Sequence, residues 1–319
     1  MKDDEKIITI VGITGKMGTW FAKFFLERDW RVFGYSRTED RLNQLMKGHP
    51  CFKESEKLDL TSRYHDCIPH SDWVLLSIPI PAHEAVIHEV APLMKNGAIV
   101  VDIASVKGRI PEILRNAKKK HGINVLSTHP MFGPGASSMK NKNFILIDLQ
   151  NDKTILKRFR ALIEPEGPII IESTPSEHDK YIAFTLALPH FMNLLFAKIL
   201  REHQIDINLL KKFGGTTFHL QHLISQEVTL QEPFIYGTIE MENPAFKDLL
   251  RPYQQSSKEM IEIIKNGNYQ AFERTFLDLR EFYAKNDDYK SVMERFNAAA
   301  AISTEMLEKQ HETSNRGDE

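Results

Sequence analysis

The feature that most constrains the fold is a glycine-spaced turn directly after the first apolar run. Ile7–Val11 is short, apolar and β-branched, and glycine follows it at positions 12, 15 and 18. Apolar residues then recur at helical spacing over residues 19–26. A strand that ends in a glycine turn and opens a helix predicts a dinucleotide-binding βαβ unit, because the turn's amides and the helix N-terminus can hold a pyrophosphate.

The turn departs from the usual G-x-G-x-x-G spacing. Gly15 and Gly18 occupy the second and third glycine positions, Ile13 stands at the first, and a glycine is displaced to Gly12. The pattern alone is weak, and a generic glycine turn is the alternative, but the preceding strand and following helix favour the cofactor site. The expected cofactor contacts are Gly12, Ile13, Thr14, Gly15, Lys16, Met17 and Gly18.

The end of the second predicted strand, at residues 31–35, bears on which dinucleotide binds. Ser36 and Arg37 follow it, where NAD-preferring sites carry Asp or Glu. A hydroxyl and a guanidinium, with Arg41 one turn later, can hold a 2'-phosphate that a carboxylate would repel. This favours NADP over NAD and leaves NAD possible. Alternatively, Ser36 only forms a capping box with Glu39 and Arg37 is solvated, and capping can coexist with phosphate binding.

Predicted strands and helices alternate over residues 1–175. The further strands are 74–78, 98–103, 124–127, 144–149 and 169–172, and the helices between them are 82–94, 107–119 and 154–163. This alternation predicts an α/β fold with a Rossmann-type, doubly wound and mainly parallel sheet.

The pattern changes to helices alone over residues 176–319. Ser176 and Asp179 are expected to cap a long helix that reaches about Arg201. Glycine and proline at 214–215, 233, 244 and 267 divide the remainder into several helices. We therefore expect a second, all-helical domain, with about its last ten residues frayed.

Composition limits the class of partner. Lys+Arg total 41 against Asp+Glu 43, a net charge of -2, so no global basic field is available for nucleic acid. Cys51 and Cys67 form neither a CxxC pair nor a disulfide framework, which suits a reducing cytoplasm. The charged N-terminus lacks an apolar signal region, and no apolar stretch is expected to approach the roughly 18 residues of a membrane span. A small-molecule partner is favoured.

Residues just past the predicted strand ends are the candidates for the reacting site, because ligands bind at the carboxyl edge of such sheets. His129 is expected directly after a strand, followed by Pro130, and an imidazole of unperturbed pKa about 6.5 suits the acceptance of a hydroxyl proton. A purely structural histidine is weighed equally. Ser105 would orient the imidazole or a substrate hydroxyl. Further cofactor contacts are expected at Ser77, Ile78, Pro79 and Ala104.

Three motifs follow one another along the chain: DIASVK at 102–107, THPMFG at 128–133, and EHD at 177–179 with Leu188-Pro189-His190. Together they resemble the prephenate dehydrogenase family. The resemblance covers roughly residues 7–285. It implies NAD(P)-dependent oxidative decarboxylation of prephenate to 4-hydroxyphenylpyruvate in tyrosine biosynthesis, by a homodimer assembled through the helical domain. It also implies that His129 assists deprotonation of the ring hydroxyl, that Ser105 positions that hydroxyl, and that His190 helps to bind substrate.

The resemblance breaks at residues 214–222, where many family members carry an arginine for a substrate carboxylate. This segment has none, and His219 stands at or near that position as an expected substrate contact. Arogenate or a related cyclohexadienyl substrate therefore stays open, as do a different NADP oxidoreductase and a catalytically silent NADP-binding regulator. His219 and His222 lack a third ligand of suitable spacing, so no metal is expected.

Overall fold

The computed structural model describes residues 6–149, 153–286 and 291–301. The chain divides into two compact units. The first contains the chain up to Ile182 together with Met241–Pro244, and the second contains Ala183–Glu240 and the chain from Ala245 onward. The domain boundary expected after residue 175 stays a prediction. The last residues, which were expected to be frayed, lie outside the described part of the chain.

One eight-stranded sheet forms the centre of the first unit. Its order is β3-β2-β1-β4-β5-β6-β7-β8, and every neighbouring pair is parallel except β6 with β7. This confirms the mainly parallel Rossmann-type sheet. The strands are β1 Ile7–Val11, β2 Arg31–Tyr35, β3 Leu58–Thr61, β4 Trp73–Leu76, β5 Ile99–Asp102, β6 Asn124–Pro130, β7 Asn143–Ile147 and β8 Ile169–Ser173.

Strand β3 was not predicted, and its position explains why. It lies at the sheet edge, pairs with β2 alone and is half-buried along its length. Edge strands need no continuous apolar run, since one side faces solvent, and Asp59 interrupts the apolar pattern here.

Helices cover both faces of this sheet. In the first unit they are α1 Lys16–Leu26, α2 Glu39–Gly48, α3 Pro50–Lys53, α4 His83–Val90, α5 Ile110–His121, α6 Lys153–Ile163 and α7 Pro175–Ile182. Successive residues of β1 point to opposite faces. Ile10 therefore joins a core cluster with Phe21 of α1 and Phe159 of α6, whereas Val11 joins the opposite cluster with Leu114 of α5. This is the doubly wound arrangement expected from the alternation.

The two predicted helix caps are wrong. Ser36 does not cap α2, because its N–H donates to the Thr61 carbonyl at 3.3 Å and keeps the chain extended beside β3; Thr38 precedes the helix instead. Helix α7 begins at Pro175, and the Thr174 hydroxyl accepts a bond from the Glu177 N–H at 3.2 Å. The carboxylate of Asp179 is therefore not used as a helix cap.

The second unit is helical throughout its described part. A five-residue π-helical turn, Ala183–Ala187, precedes α8 Leu188–Glu202, α9 Ile207–Phe213, α10 Thr216–Leu230, α11 Pro233–Glu242, α12 Pro244–Lys265 and α13 Tyr269–Asn286. The glycines and prolines expected to divide this region do lie at the helix boundaries. Asp206 caps α9 by accepting from the N–H groups of Asn208 and Leu209 at 2.8 and 3.2 Å.

One helical stretch of the described chain, Pro175–Glu202, is long and apolar enough to cross a membrane by length and composition. Its most apolar window has a mean hydropathy of 1.5, and 28% of that window is buried in the protein. By mean hydropathy this stretch meets the length criterion that no part of the sequence was expected to approach. His190 and Asn193 interrupt the run without adding a full charge, so mean hydropathy stays high although no unbroken apolar segment exists.

Candidate active site

The glycine turn is a cradle that side chains would fill. Gly12 has φ of 90°, and a Cβ there would lie 2.2 Å from the carbonyl oxygen of Ser77. A Cβ at Gly18 would lie 2.2 Å from the carbonyl oxygen of Gly12. The turn therefore packs backbone against backbone between β1 and the end of β4. This geometry fits the close approach of a pyrophosphate to main-chain amides at the start of α1.

Ile13, at the usual first glycine position, belongs to the core. It is fully buried, and a Cβ on Gly34 of β2 would lie 2.4 Å from its Cδ1. Its side chain thus fills the space that Gly34 leaves, which explains how the turn tolerates the missing glycine. The carbonyl oxygen of Ile13 accepts a bond from the Thr19 hydroxyl at 2.8 Å, which ties the turn to α1. Only the backbone of Ile13 is left to face a cofactor.

Basic groups gather beside this turn. Ser36 is buried, with its hydroxyl oxygen 3.4 Å from that of Thr14, whereas Arg37 and Arg41 are exposed and form no ion pair with the described residues. A neighbouring cavity of about 520 Å³ includes Arg41 but not Arg37 in its lining. The basic residues that line it are Lys16, Lys23, Arg41 and His49, with no carboxylate among the described lining residues. The environment suits an anion.

His129 and the Ser105 loop lie at the same edge of the sheet. Strands β5 and β6 run parallel, with Asp102 opposite Ser127, so the residues that follow these positions emerge together. His129 does not follow the strand as predicted: β6 continues to Pro130, and His129 pairs with Ile145 of β7. Antiparallel pairing with β7 extends β6 beyond the end that its apolar run indicated.

The imidazole of His129 is buried and hydrogen-bonded. It is 4% exposed, and its Nδ1 lies 2.9 Å from Nε2 of His178. Nδ1 of His178 in turn lies 2.8 Å from Oδ1 of Asp179. Burial, followed by the neighbouring imidazole of His178 and the ammonium of Lys107, lowers the pKa of His129 well below its ordinary 6.5, against the opposing charge of Asp102. His129 is therefore neutral near pH 7.

A fully buried ion pair fixes the loop that carries Ser105. Lys107 Nζ donates to Asp102 Oδ2 at 3.1 Å and to the carbonyl oxygens of Ala104 and Thr128 at 2.8 and 2.7 Å. Burial opposes the charge of Asp102, yet the ammonium of Lys107 holds the pKa of that carboxyl well below its usual range. The pair thus joins the loop after β5 to β6. Ser105 is half-buried and lies between Ala104 and Lys107, which these bonds hold in place.

The remaining predicted contacts fall in different places. Ser77, Ile78 and Pro79 follow β4 beside the glycine turn, and the Ser77 N–H donates to the Val11 carbonyl at 2.9 Å. The N–H of Ala104 donates to Asp102 Oδ1 at 2.7 Å, so it supports the loop. The motifs that contain Lys107, His178 and Asp179 were recognisable in the sequence, but no role in the site was predicted for these three residues.

The expected substrate contacts belong to the second unit. His190 of α8 is buried with no partner for Nδ1 among the described residues, and its ring centroid lies 4.2 Å from that of Tyr236. Burial lowers the pKa of His190, with the charge of Glu227 opposing the shift. His219 of α10 is half-buried beside Phe218, with ring centroids 5.6 Å apart.

Two family models match successive parts of this chain. The nucleotide-binding domain of prephenate dehydrogenase matches residues 48–172, and the dimerization domain of prephenate dehydrogenase matches residues 174–278. The glycine turn precedes the first matched segment, so its assignment depends on the geometry above.

Curated relatives agree with these models. A probable arogenate/prephenate dehydrogenase of Methanocaldococcus jannaschii is 30% identical over 274 residues, 85% of this chain and 60% of that protein. A T-protein of Enterobacter agglomerans is 27% identical over 277 residues, 86% of this chain and 67% of that protein. The chain therefore spans about 60 to 67% of the length of these relatives.

Solved structures share the fold. Prephenate dehydrogenase from A. aeolicus, solved in complex with hydroxyphenyl propionate and NAD+, has a TM-score of 0.70 at 19% identity, covering 90% of this chain and all of that one. Synechocystis arogenate dehydrogenase has a TM-score of 0.66 at 20% identity, covering 88% of this chain and 99% of that one. With both domain models matched in order along a fold of this kind, the chain belongs to the prephenate dehydrogenase family.

Proposed function

We propose that this protein is an NADP-preferring prephenate dehydrogenase that converts prephenate to 4-hydroxyphenylpyruvate on the route to tyrosine. The observation that carries the proposal is the buried, neutral His129, held by hydrogen bonds at the sheet edge that also carries the Ser105 loop and the glycine cradle. A dinucleotide cradle and a proton acceptor at one sheet edge are the two parts that dehydrogenation of an alcohol requires.

The cofactor is held by the turn and by the end of β2. Backbone amides around Gly15 face the pyrophosphate, and Ser36 with Arg37 and Arg41 receives the 2'-phosphate. The absence of any ion pair between those arginines and the described residues supports this role, because both guanidinium groups are available to an anion. Bound NADP supplies the hydride acceptor, and the same cradle also accepts NAD.

The protein's contribution to the reaction is orientation and one proton transfer. Ser105 positions the ring hydroxyl of the substrate, and neutral His129 accepts the hydroxyl proton as hydride leaves the carbon that bears it. The ring carboxylate then leaves as carbon dioxide and the ring becomes aromatic, which supplies the driving force. Metal coordination has no part in this scheme.

Arogenate is the second candidate substrate, and one observation favours it. No arginine stands in residues 214–222, whereas the carboxylate of Glu227 acts on both His190 and Tyr236. If His190 and His219 contact the substrate, a neighbouring carboxylate suits the side-chain ammonium of arogenate better than the keto group of prephenate. A Synechocystis arogenate dehydrogenase and a probable arogenate/prephenate dehydrogenase are among the proteins similar to this one.

Assembly as a homodimer through the helical unit is also part of the proposal. Apolar side chains are exposed along its helices, and the matched model for this region is that of a dimerization domain. A second copy of the chain would bury them. Those on α8 and α10 that are at least half exposed include Met192, Ile199, Leu223, Ile224 and Leu230. We propose a cytoplasmic location and no nucleic-acid or membrane partner.

The test is turnover by the purified full chain supplied with prephenate and NADP. We expect growth of NADPH absorbance together with release of 4-hydroxyphenylpyruvate and carbon dioxide in equal amounts. Arogenate in place of prephenate, with each cofactor in turn, ranks the two candidate substrates. NADP binding without turnover of either substrate would instead support the silent regulator, and oxidation of an unrelated alcohol alone would support a different NADP oxidoreductase.

A further inference from the structure

We propose that the dipeptide His178-Asp179 fixes the tautomer of His129, so that the proton of its imidazole sits on Nδ1 and Nε2 carries the lone pair that accepts the substrate proton. His178 and Asp179 are then positioning residues for the reaction. The proposal deepens the proposed function, because it assigns the orientation and protonation of the same histidine. The tautomer itself can be measured whether or not the enzyme turns over prephenate.

The direction of the hydrogen bonds is set by Asp179. Its Oδ1 accepts from the Lys107 N–H at 2.9 Å, and its Oδ2 accepts from the Gly108 N–H at 2.8 Å. Backbone amides can only donate, so Asp179 serves as an acceptor through both oxygens. Nδ1 of His178, 2.8 Å from Oδ1 of the same carboxylate, must therefore be the protonated nitrogen of that ring.

His178 then determines the state of His129. His178 is 2% exposed, and the carboxylate that it meets already accepts from the amides of Lys107 and Gly108. Burial lowers the pKa of His178, against its hydrogen bond to Asp179, so the ring is neutral and its Nε2 is an acceptor. Nε2 of His178 lies 2.9 Å from Nδ1 of His129, and two donors cannot face each other at that distance. Nδ1 of His129 must donate, which leaves Nε2 of His129 without a proton.

The same dipeptide holds the other proposed reacting group. The amides that bind Asp179 belong to Lys107 and Gly108, which directly follow the segment that carries Ser105. The carbonyl oxygen of Asp179 accepts from Asn243 Nδ2 at 2.9 Å, so α7 is also fixed on a further side within the first unit. One short segment thus sets the positions of both the loop of Ser105 and the ring of His129.

The charges around His129 explain why a second imidazole is needed. When His129 accepts a proton it becomes cationic beside the buried ammonium of Lys107, which disfavours that charge, while Asp102 favours it. Through His178, the carboxylate of Asp179 adds a further negative group at the end of the chain of bonds. Neutral Nε2 of His178 accepts the hydrogen bond from Nδ1 of His129 and so stabilises the imidazolium. It does so without adding a further charge next to the buried pair of Lys107 and Asp102.

The direct test is nitrogen NMR of the full chain labelled with ¹⁵N-histidine, with His129→Asn used to assign the His129 resonances. We expect the wild-type spectrum near pH 7 to show a protonated Nδ1 and an unprotonated Nε2 for His129. A protonated Nε2 in the wild-type protein would overturn the proposal. Since this measurement needs no substrate, it decides the tautomer even if neither prephenate nor arogenate is oxidised, a result that would overturn only the proposed function.

The kinetic test compares His178→Gln with His178→Phe. Phenylalanine fills the space of the imidazole without an acceptor, so we expect a loss of about 100-fold in kcat with the KM for dinucleotide nearly unchanged. Glutamine presents an amide oxygen to Nδ1 of His129, so we expect it to recover most of that loss. The exposed neighbour Lys180 gives the matched control, and Lys180→Gln should leave kcat unchanged.

The two His178 variants either support or overturn the positioning role of His178. Loss in the phenylalanine variant with recovery in the glutamine variant supports the positioning role, and NADP affinity confirms that both variants fold. Equal kcat in wild type and the phenylalanine variant, or equal losses in both variants with NADP affinity retained, would overturn it. If neither variant folds, the tautomer observed in the wild-type spectrum still supports or overturns the proposal.

Discussion

The two ends of the proposed dinucleotide site are built in opposite ways. At the phosphate end, the backbone forms the cradle, glycines exclude side chains, and Lys16, Arg37 and Arg41 are exposed. At the reacting end, side chains form the site: His129, His178, Asp102 and Lys107 are all buried and bonded to one another or to the backbone. In the proposed function, the main chain and surface charge therefore bind the cofactor, and a buried polar network supplies the proton acceptor.

This difference predicts that each end can be damaged without the other. Substitutions at the cradle should reduce cofactor affinity and leave the state of His129 intact. Substitutions at the reacting end should reduce turnover and leave cofactor affinity intact.

Gly18→Ala should weaken dinucleotide binding by about 100-fold, on the upper range of about 3 kcal/mol for an overpacked site. Its Cβ would lie 2.2 Å from the Gly12 carbonyl oxygen, a backbone atom that cannot move aside without distorting the turn. Isothermal titration with NADP measures the loss. Gly237→Ala, in α11, is the matched control, because no atom lies within 4 Å of its Cβ position. Wild-type affinity in Gly18→Ala would show that the turn is not the cradle.

Arg37→Ala should weaken NADP by about tenfold and NAD much less, as expected for loss of a charged hydrogen bond to the 2'-phosphate. Arg37 is exposed and unpaired with any described carboxylate, so the substitution leaves the fold unaltered. Lys47→Ala, on the exposed side of α2, controls for the loss of one positive charge. Equal weakening of both cofactors would remove the 2'-phosphate assignment and leave Ser36 and Arg41 to be tested.

The buried histidines predict a loss of stability in acid. Because burial lowers the pKa values of His129 and His178, the unfolded chain binds protons at about pH 6.5 that the folded chain does not. Stability is therefore full above about pH 6.5 and falls as pH drops below it, by at most about 1.4 kcal/mol per pH unit for each histidine. Urea unfolding of wild type and His129→Asn at several pH values measures the free energy of unfolding. Below about pH 6.5 this free energy should fall less steeply with decreasing pH in the variant than in wild type. Equal slopes would contradict the lowered pKa of His129.

The sequence was most informative where backbone geometry restricts residue type. Gly12 and Gly18 are required by contacts that no side chain fits, and their spacing indicated the turn together with the flanking strand and helix. The boundaries of the helical unit were found for a different reason, because Pro233 and Pro244 stand at the first position of a helix and Gly267 has φ of 59°. The antiparallel extension of β6 was missed, since pairing with β7 is a long-range event that the local apolar run does not record.

The reacting end was only partly predictable. His129 and Ser105 were found as residues near predicted strand ends, but the partner of His129 lies 49 positions away in the sequence. His178 was recognisable as part of the EHD motif, but nothing in the neighbouring sequence indicated that it contacts His129. Asp179 was expected to cap a helix, because an acid near a helix start usually does, and its bonds to the amides of Lys107 and Gly108 depend on tertiary contact.

The measurement that tests the separation of the two ends most directly is made on His129→Asn. NADP affinity is measured by titration, and NADPH formation is followed in a single turnover with prephenate and with arogenate. We expect a rate at least about 100-fold below wild type with nearly unchanged NADP affinity. A wild-type rate, or a fall in NADP affinity as large as the fall in rate, would contradict it.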